Sequence, residues 1–404
     1  MRHLAGEAAI VGFGDSYADR DNRKTPIQLA VEAIRTALQD AGLRKDDVRG
    51  LLCSRAPLAD MRPQWNNILA SYMKITPEYA SEITVHGAGA NAMLKHAAIA
   101  VISGLLDYVV CVSADAAPLF IDPVYDVPTL DCDPQFEYPY GPLIPAIYAQ
   151  AACRYMHEYG ITEEQMAKVA VCHQNWAVHH PKAAKGKKGP ITVADVLNSR
   201  MIASPLRAWN CATWGPGGTG GALVITTAER ARDMTDRPLY LLGFGECETH
   251  EYVTDRLALR QSHLPLGRLP NLTTTGAKVA AQRAYEMAGL GPRDMDIVEA
   301  SANFTHVAMI MIEDLGFCEK GEAGRFVDEG HIDVGGDLPF DTNGGWLSFG
   351  QPGISCVMDP IVEGVRQLRG EALGKQVPGV KRALVHGIGG MLACNSVTIL
   401  ATSL

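Results

Sequence analysis

Apolar positions along the chain follow two periods that take turns. "EAAIVGFG" (7–14) and "DYVVCVSAD" (107–115) are apolar runs of strand length. Between them, "NAMLKHAAIAVISG" (91–104) is apolar nearly all round and rich in alanine, which predicts a buried helix. "RPLYLLGFGE" (237–246) opens another strand, and "GVRQLRGEA" (364–372) ends a helix. "RALVHGIGGMLACNSVTIL" (382–400) reads as two strands joined by a glycine-rich turn. Such alternation predicts α/β layers.

The pattern also repeats. "AVEAIRTALQDAGLRKDDVRGLLCS" (30–54) and "AKVAAQRAYEMAGLGPRDMDIVEAS" (277–301) match at one constant offset. Ala33 pairs with Ala280, Ala37 with Ala284, Gly42 with Gly289 and Asp47 with Asp294. Each copy is an amphipathic helix stopped by glycine and followed by a strand-like run, which predicts a duplication. The expected halves are 1–235 and 236–404. Residues 117–204 break the repeat, and their Pro- and Tyr-rich start reads as an inserted region that covers a site.

Bulk properties narrow the function classes. The 404 residues are 47% hydrophobic and 20% charged, with net charge -9, as in an ordinary globular chain. No basic run is interleaved with aromatics, so a nucleic-acid partner is not expected. The cluster "KAAKGKKG" (182–189) reads as a solvated loop or as a contact for nucleotide phosphates. No apolar run reaches membrane-spanning length, and "MRHLAGEAAIVGFG" lacks the form of a signal peptide. The ten cysteines show no CxxC and no paired metal spacing. They read as reduced thiols, mostly in the core, of a cytoplasmic protein without a metal site.

The order of these segments resembles the thiolase superfamily, and its sterol-carrier-protein-type branch in particular. "IEDLGFCEKGEAGRFV" (312–327), "LPFDTNGGWLSFGQPG" (338–353) and "VHGIGGMLACNSVTIL" (385–400) are similar to that branch's C-terminal half. "ISGLLDYVVCVSAD" (102–115) is similar to the end of its N-terminal core. The resemblance implies a five-layer αβαβα fold with two duplicated halves, a homodimer, and a coenzyme A thioester as substrate with no covalently bound cofactor. It places the starts of two central helices near Ala88 and Gly353, both aimed into one pocket that suits negative charge.

At the family's reactive positions the sequence departs from the pattern. The nucleophilic cysteine's place falls at Gly87, within one residue, in "TVHGAGANAM" (84–93). Gln351 replaces the histidine of "GHP", and His386 holds the place of the second catalytic cysteine. The asparagine that orders an oxyanion-hole water corresponds to Ser301 of "SANFTH" (301–306). "HGAGA" resembles the turn of thiolase-like aldolases that cleave steroid side chains by retro-aldol reaction. Those enzymes lack the cysteine and work with a small OB-fold/zinc-ribbon protein, which implies a heterotetramer here. Their tyrosine- and histidine-bearing segment is replaced by Ser348–Pro352. The first expectation is therefore C–C cleavage of a β-hydroxyacyl-CoA. The alternatives are a thiolytic acyltransferase using direct coenzyme A attack and a non-catalytic or lipid-binding subunit.

Retro-aldol chemistry needs a base for the β-hydroxyl and donors for the enolate oxygen. His86, His306 and His386 are the candidate bases, each with a purely structural alternative. Gln351 suits an oxyanion or positioning role, because an amide donates but does not shuttle protons near neutral pH. Gly87 and Gly89 permit close backbone approach. Ser301, Asn303 and Asn343 are candidate hydrogen-bonding residues, with turn formation the alternative for Asn343. Tyr138 and Tyr140 either line an acyl pocket or pack beneath their loop. Trp209 and Trp214 either stack on a cofactor base or are simply buried. Cys111 and Cys356 read as core thiols rather than displaced nucleophiles. "GPGGTGG" (215–221) lacks the Lys-Ser/Thr ending of a phosphate loop.

Overall fold

Helix α1 (Pro26–Asp40) starts where Thr25 and Gln28 cap each other reciprocally, with Pro26 in the first turn. Its buried face is Ile27, Ala30, Ala33, Ile34 and Ala37. The alanines let a strand come very close. A Cβ on Gly12 or Gly14 would overlap the carbonyl oxygen of Ala37 or Ala33. The same device recurs in the helix Ala277–Ala288, where Gly243 and Gly245 lie against the carbonyls of Ala284 and Ala280. These are the alanines that the sequence repeat matches. The structure is a computed structural model, described for residues 4–19, 21–56, 59–60, 62–117, 132–135, 137–141, 143–213, 215, 217–250, 260–353 and 358–404.

In chain order the strands are β1 (Ala8–Ala18), β2 (Gly50–Ser54), β3 (Tyr79–Glu82), β4 (Val109–Ala116), β5 (Met201–Ala203), β6 (Leu206–Arg207), β7 (Gly218–Thr227), β8 (Leu239–Glu248), β9 (Arg260–Gln261), β10 (Arg268–Leu269), β11 (Ile297–Ala300), β12 (Arg382–Gly389) and β13 (Cys394–Ala401). Nine of them form a mixed sheet in the order β11-β12-β13-β8-β1-β7-β4-β2-β3. The run β1-β7-β4-β2 pairs antiparallel, antiparallel, parallel. The run β8-β13-β12-β11 does the same. Where β2 continues to β3, β11 has a single parallel bridge from Val298 to Phe340. β1 and β8 join the two runs through two residue pairs, Ala9–Tyr240 and Ile10–Leu239.

The layers follow from which faces are buried together. Helix α3 (Gly89–Ile102) is apolar nearly all round and shares a core with the helix Asp359–Arg369. Ile10, Cys111 and Leu223 from one strand run, and Ala383, Val385 and Leu400 from the other, close on it. A second core joins α1 and α2 (Trp65–Met73) to Val11, Leu51 and Val110. A third joins the helices Ala277–Ala288 and Thr305–Asp314 to Val298, Leu384 and Val397. Helices thus lie outside, between and outside the two runs, a five-layer thiolase-like α/β arrangement. From residues 117–204, the helices Ile144–Tyr159 and Glu163–Ala177 place Tyr155, Met166 and Val169 in the third core. The second central helix is described from Asp359 rather than from near Gly353, and residues 354–357 lie outside the described residues. Gly353 itself is pressed against the Asp115 carboxylate, which a Cβ there would strike.

One polar knot sits beside the central layer. The Thr342 hydroxyl lies 2.6 Å from Glu299 Oε1 and 2.8 Å from Glu363 Oε1, and Gln367 Nε2 donates to both Thr342 Oγ1 and Glu363 Oε1. A hydroxyl has one proton to give, so one of these carboxyls must itself be protonated. Burial accordingly pushes both Glu299 and Glu363 above the usual carboxylate range. Next to them, Asp341 accepts from the Ala300 N–H at 2.6 Å and lies 3.0 Å from His173 Nε2. This pair anchors the end of β11 to the segment that carries "GGW".

Candidate active site

The start of α3 meets the end of β12 backbone to backbone. A Cβ on Gly87 would overlap the Ile388 carbonyl oxygen, and one on Gly387 would lie 2.5 Å from the Gly87 carbonyl oxygen. Gly389 is equally close to the Cβ of His86. Glycine is therefore required on both sides of this junction. Ser396 Oγ donates to the Ala88 carbonyl at 2.9 Å, and Asn91 Nδ2 reaches Ser396 Oγ at 3.2 Å. His86 takes a positive φ of 43° and is exposed at the mouth of the turn. Gly89 faces the Ile83 carbonyl, 3.3 Å from where its Cβ would be. No side chain caps the N-terminus of α3.

This turn holds no thiol. Cys111 is buried on β4, its Sγ 3.7 Å from the Met93 carbonyl, and burial raises its thiol well above the ordinary range. Cys356 lies outside the described residues.

A short strap ties three further groups to the junction. The Ala212 N–H donates to the Asn303 carbonyl at 2.7 Å and the Thr213 N–H to the Trp346 carbonyl at 3.1 Å. The Gln351 N–H donates to the Thr213 carbonyl at 2.8 Å. Trp346 Cη2 is 3.3 Å from the Cβ position of Gly87. Trp346 is 3% exposed, yet its Nε1 has no partner among the described residues. The half-buried Gln351 side chain makes no hydrogen bond among the described residues. Lys185 holds the strap from behind, donating to the Leu347 carbonyl at 2.6 Å and the Cys211 carbonyl at 3.3 Å. Burial lowers its ammonium to about 8. Its Nζ also lies 4.8 Å from the centre of the Trp209 ring, and Lys188 Nζ lies 5.2 Å from it. Trp214 lies outside the described residues. Asn343 is occupied by the turn itself, its Oδ1 accepting from the Gly345 N–H at 2.8 Å.

The ends of β11 and β12 bring in the rest. Ser301 donates both its N–H (3.2 Å) and its Oγ (3.1 Å) to the His386 carbonyl. Alternation along β12 turns Gly387 toward the α3 turn and puts the His386 side chain on the face shared by Leu384 and Ile388. There His386 is fully buried, with Nε2 3.1 Å from Asn395 Oδ1 and Nδ1 unpartnered among the described residues. Burial lowers its imidazole to about 4, so it is neutral at pH 7. His306, in the first turn of the helix Thr305–Asp314, is also fully buried, edge-on to Tyr148 at 6.1 Å. Both its ring nitrogens lack partners among the described residues, and burial lowers it to about 3. Asn303 Oδ1 is unpartnered as well. Tyr138 and Tyr140 are exposed, 44% and 86%.

The structure thus joins Gly87, Gly89 and His86 to the β12 turn, and joins Asn303 and Gln351 through the strap. Ser301 meets His386 through the backbone. His306 lies among aromatic rings, and nothing places it at the Gly87 turn. Sequence reasoning missed Trp346 and Asn395. The tryptophan stood in the quoted "NGGWLSFGQPG", but nothing local marks its N–H as unpartnered. Asn395 is paired across a hairpin and carries no motif.

Unpartnered buried polar atoms are costly, about 1–3 kcal/mol each. Among the described residues Trp346, Asn303, His386 and His306 carry them, and of these Trp346 lies against the Gly87 turn. Among the described residues the Gly87 turn offers a buried donor and helix-start backbone, but no thiol.

Residues 258–402 match the family model "Thiolase C-terminal domain-like". The chain is 36% identical to the 17-hydroxy-3-oxo-4-pregnene-20-carboxyl-CoA lyase of Mycobacterium tuberculosis, covering 95% of this chain and 96% of that one. It is 32% identical to an acetyl-CoA acetyltransferase of Methanothermobacter thermautotrophicus, over 90% and 91% of the two chains. A solved structure, the Ltp2-ChsH2(DUF35) aldolase, superposes with a TM-score of 0.81 at 31% identity, covering 99% of this chain and 98% of that one. With relatives this similar along nearly the whole length, the chain belongs to the thiolase superfamily of enzymes, in its sterol-carrier-protein-type branch.

Proposed function

We propose that the chain cleaves a β-hydroxyacyl-CoA by a retro-aldol reaction, releasing a carbonyl compound and a shorter acyl-CoA. The observation that carries this reading is the Gly87 junction, which has no thiol and no room for a Cβ. An acyl-enzyme route requires a thiolate there. A retro-aldol step requires only a base and donors. The β-hydroxyl proton passes to an imidazole nitrogen, and the C–C bonding electrons move into the thioester to form its enolate. The proton then returns to the α-carbon, so no co-reactant is consumed. On this reading His86, exposed at the Gly87 turn, is the base, with Trp346 Nε1 and the Gln351 amide as donors toward the thioester oxygen.

The mycobacterial relative's name supports a steroid-like acyl group. The Ltp2-ChsH2(DUF35) neighbour supports a DUF35 partner for this chain, and the small OB-fold/zinc-ribbon protein expected from the sequence is the candidate for it. The acetyltransferase relative favours a second reading, in which free coenzyme A attacks a β-ketoacyl-CoA directly. Product analysis separates the two. The chain, alone and with the partner, is incubated with a steroid β-hydroxyacyl-CoA and no free coenzyme A. Equal amounts of ketone and shorter acyl-CoA are expected. Cleavage confined to β-ketoacyl-CoA and dependent on free coenzyme A would replace the lyase with the second reading.

A further inference from the structure

The register that turns His386 away from the Gly87 turn brings another residue toward it. Across the β12–β13 hairpin Gly387 pairs with Ser396 and Gly389 with Cys394. Side chains alternate along a strand, so these four positions share one face. That face abuts the α3 turn: Ser396 Oγ donates to the Ala88 carbonyl at 2.9 Å, and a Cβ on Gly389 would overlap the His86 Cβ. Cys394 therefore stands on the same side as His86, where it is half-buried. Gly390 locates the two groups more closely. A Cβ built there would lie 3.5 Å from Cys394 Sγ and 3.7 Å from His86 Cδ2. A thiol and an imidazole thus border a single point at the mouth of the turn.

The end of the hairpin is pinned from outside. Thr249, just past β8, donates its N–H at 3.0 Å and its Oγ1 at 3.1 Å to the Ala393 carbonyl. His250 Nε2 lies 3.3 Å from the Met391 carbonyl oxygen, and Asn395 Nδ2 donates to the Leu392 carbonyl at 3.0 Å. These bonds, rather than the thiol itself, set the place of Cys394 beside His86. Retro-aldol chemistry moves protons at two atoms: one leaves the β-oxygen and one must reach the α-carbon of the enolate. Those atoms are two bonds apart, so the group that takes and the group that gives must be neighbours. The Trp346 indole and the Gln351 amide are hydrogen-bond donors that do not titrate near neutral pH. A thiol, which titrates at about 8.5 in model peptides, has the acidity to give a proton away.

We propose that Cys394 is the catalytic residue that protonates the enolate carbon, working as a pair with His86. This role rests on the lyase reading and supplies its second proton transfer. His86 takes the β-hydroxyl proton and becomes an imidazolium as the C–C bond breaks. The S–H bond of Cys394 then breaks, its proton forms the new C–H bond, and the electron pair stays on sulfur. The imidazolium returns its proton to that thiolate, so both groups are restored and no co-reactant is consumed. The junction of α3 with β12 still lacks a nucleophile. Cys394 belongs to β13 and not to the helix start, whose dipole would hold a resting thiolate.

Bromoacetyl-CoA tests the placement, because its electrophilic carbon is the α-carbon of a thioester. Incubated with the full chain and mapped by peptide mass spectrometry, it should alkylate Cys394 ahead of every other cysteine, and excess acetyl-CoA should protect. Acetyl-CoA in deuterium oxide tests the role. The wild type should exchange the α-protons for deuterium. Cys394→Ala should slow both this exchange and kcat about 10²-fold or more, with KM nearly unchanged. Cys394→Ser, whose hydroxyl is a far weaker acid, should restore neither rate. Labelling confined to other residues overturns the proposal, even if the variants fail to fold. An acyl adduct on Cys394 during turnover also overturns it, by making the thiol a nucleophile. So does a folded Cys394→Ala that exchanges and cleaves at the wild-type rate, and the lyase reading then stands. If Cys394 is labelled and carries the exchange but no β-hydroxyacyl-CoA is cleaved, the lyase reading fails and Cys394 remains the group that moves a proton at the α-carbon.

Discussion

Gly87 shows how a missing side chain can be informative. Its place could be read from the sequence, but the reason for a glycine could not, because the Ile388 carbonyl it abuts is 301 positions away in the chain. Restoring the family's nucleophile at this position should therefore fail. Gly87→Cys should lose about 3 kcal/mol of stability through overpacking and should gain no thiolysis. Thermal unfolding together with a coenzyme A-dependent assay checks both parts, and a thiolytic variant with wild-type stability would contradict the close contact. Turnover should likewise leave no acyl group on the protein. Mass spectrometry of enzyme quenched during reaction should find all ten cysteines unmodified. A stable adduct on Cys356 or Cys111 would mean that the nucleophile has moved. The histidines were legible only as candidates. What distinguishes them is burial and partners: His386 is held by Asn395, His306 by aromatic rings, and His86 is exposed.

Among the elements, α1, α3 and the β12–β13 hairpin were plain in the apolar pattern. Strand β7 was not. Its start, "GTGG", looks like loop, because glycine is poor in strands. It is a buried strand because α1 presses on it: a Cβ on Gly220 would lie 2.9 Å from the Leu29 carbonyl. The knot of Glu299, Thr342 and Glu363 was also invisible, since three distant segments build it. Its effect on stability has a definite sign. Folded Glu299, Glu363 and Asp341 hold protons more tightly than an unfolded carboxyl, which titrates near 4. Asp359, beside Thr219 and raised to about 8 by burial, does the same. Their contribution is complete below about pH 4 and is lost as pH rises through the folded values, up to about 8 for Asp359. Glu299→Gln keeps an uncharged group in place. It should fold within about 1 kcal/mol of wild type at pH 5 and lose less stability between pH 5 and 8. Denaturant titrations at the two pH values check this, and an unchanged slope would mean that Glu299 is ionised in the fold.

For the whole molecule, the two runs of strands repeat one order, and the sequence showed that repeat through its alanines. The region 117–204 was legible as a break in the repeat. Its packing into the third core was not, because helices 144–159 and 163–177 find their partners only in three dimensions. The family's mode of assembly leads us to expect a homodimer. Light scattering at micromolar concentration should give at least twice the 43.5 kDa chain mass, and a persistent monomer would count against it. The backbone contact between Gly87 and Ile388 has a consequence for biosynthesis. The turn at the start of α3 is made early, but the surface that closes on it, strand β12 with its partner β13, is translated after every other part of the site. A nascent chain lacking those strands would expose the apolar faces of both central helices and hold no reactive centre. Such an intermediate calls for chaperone protection until the hairpin arrives, and catalytic competence is acquired in a single late event rather than half by half.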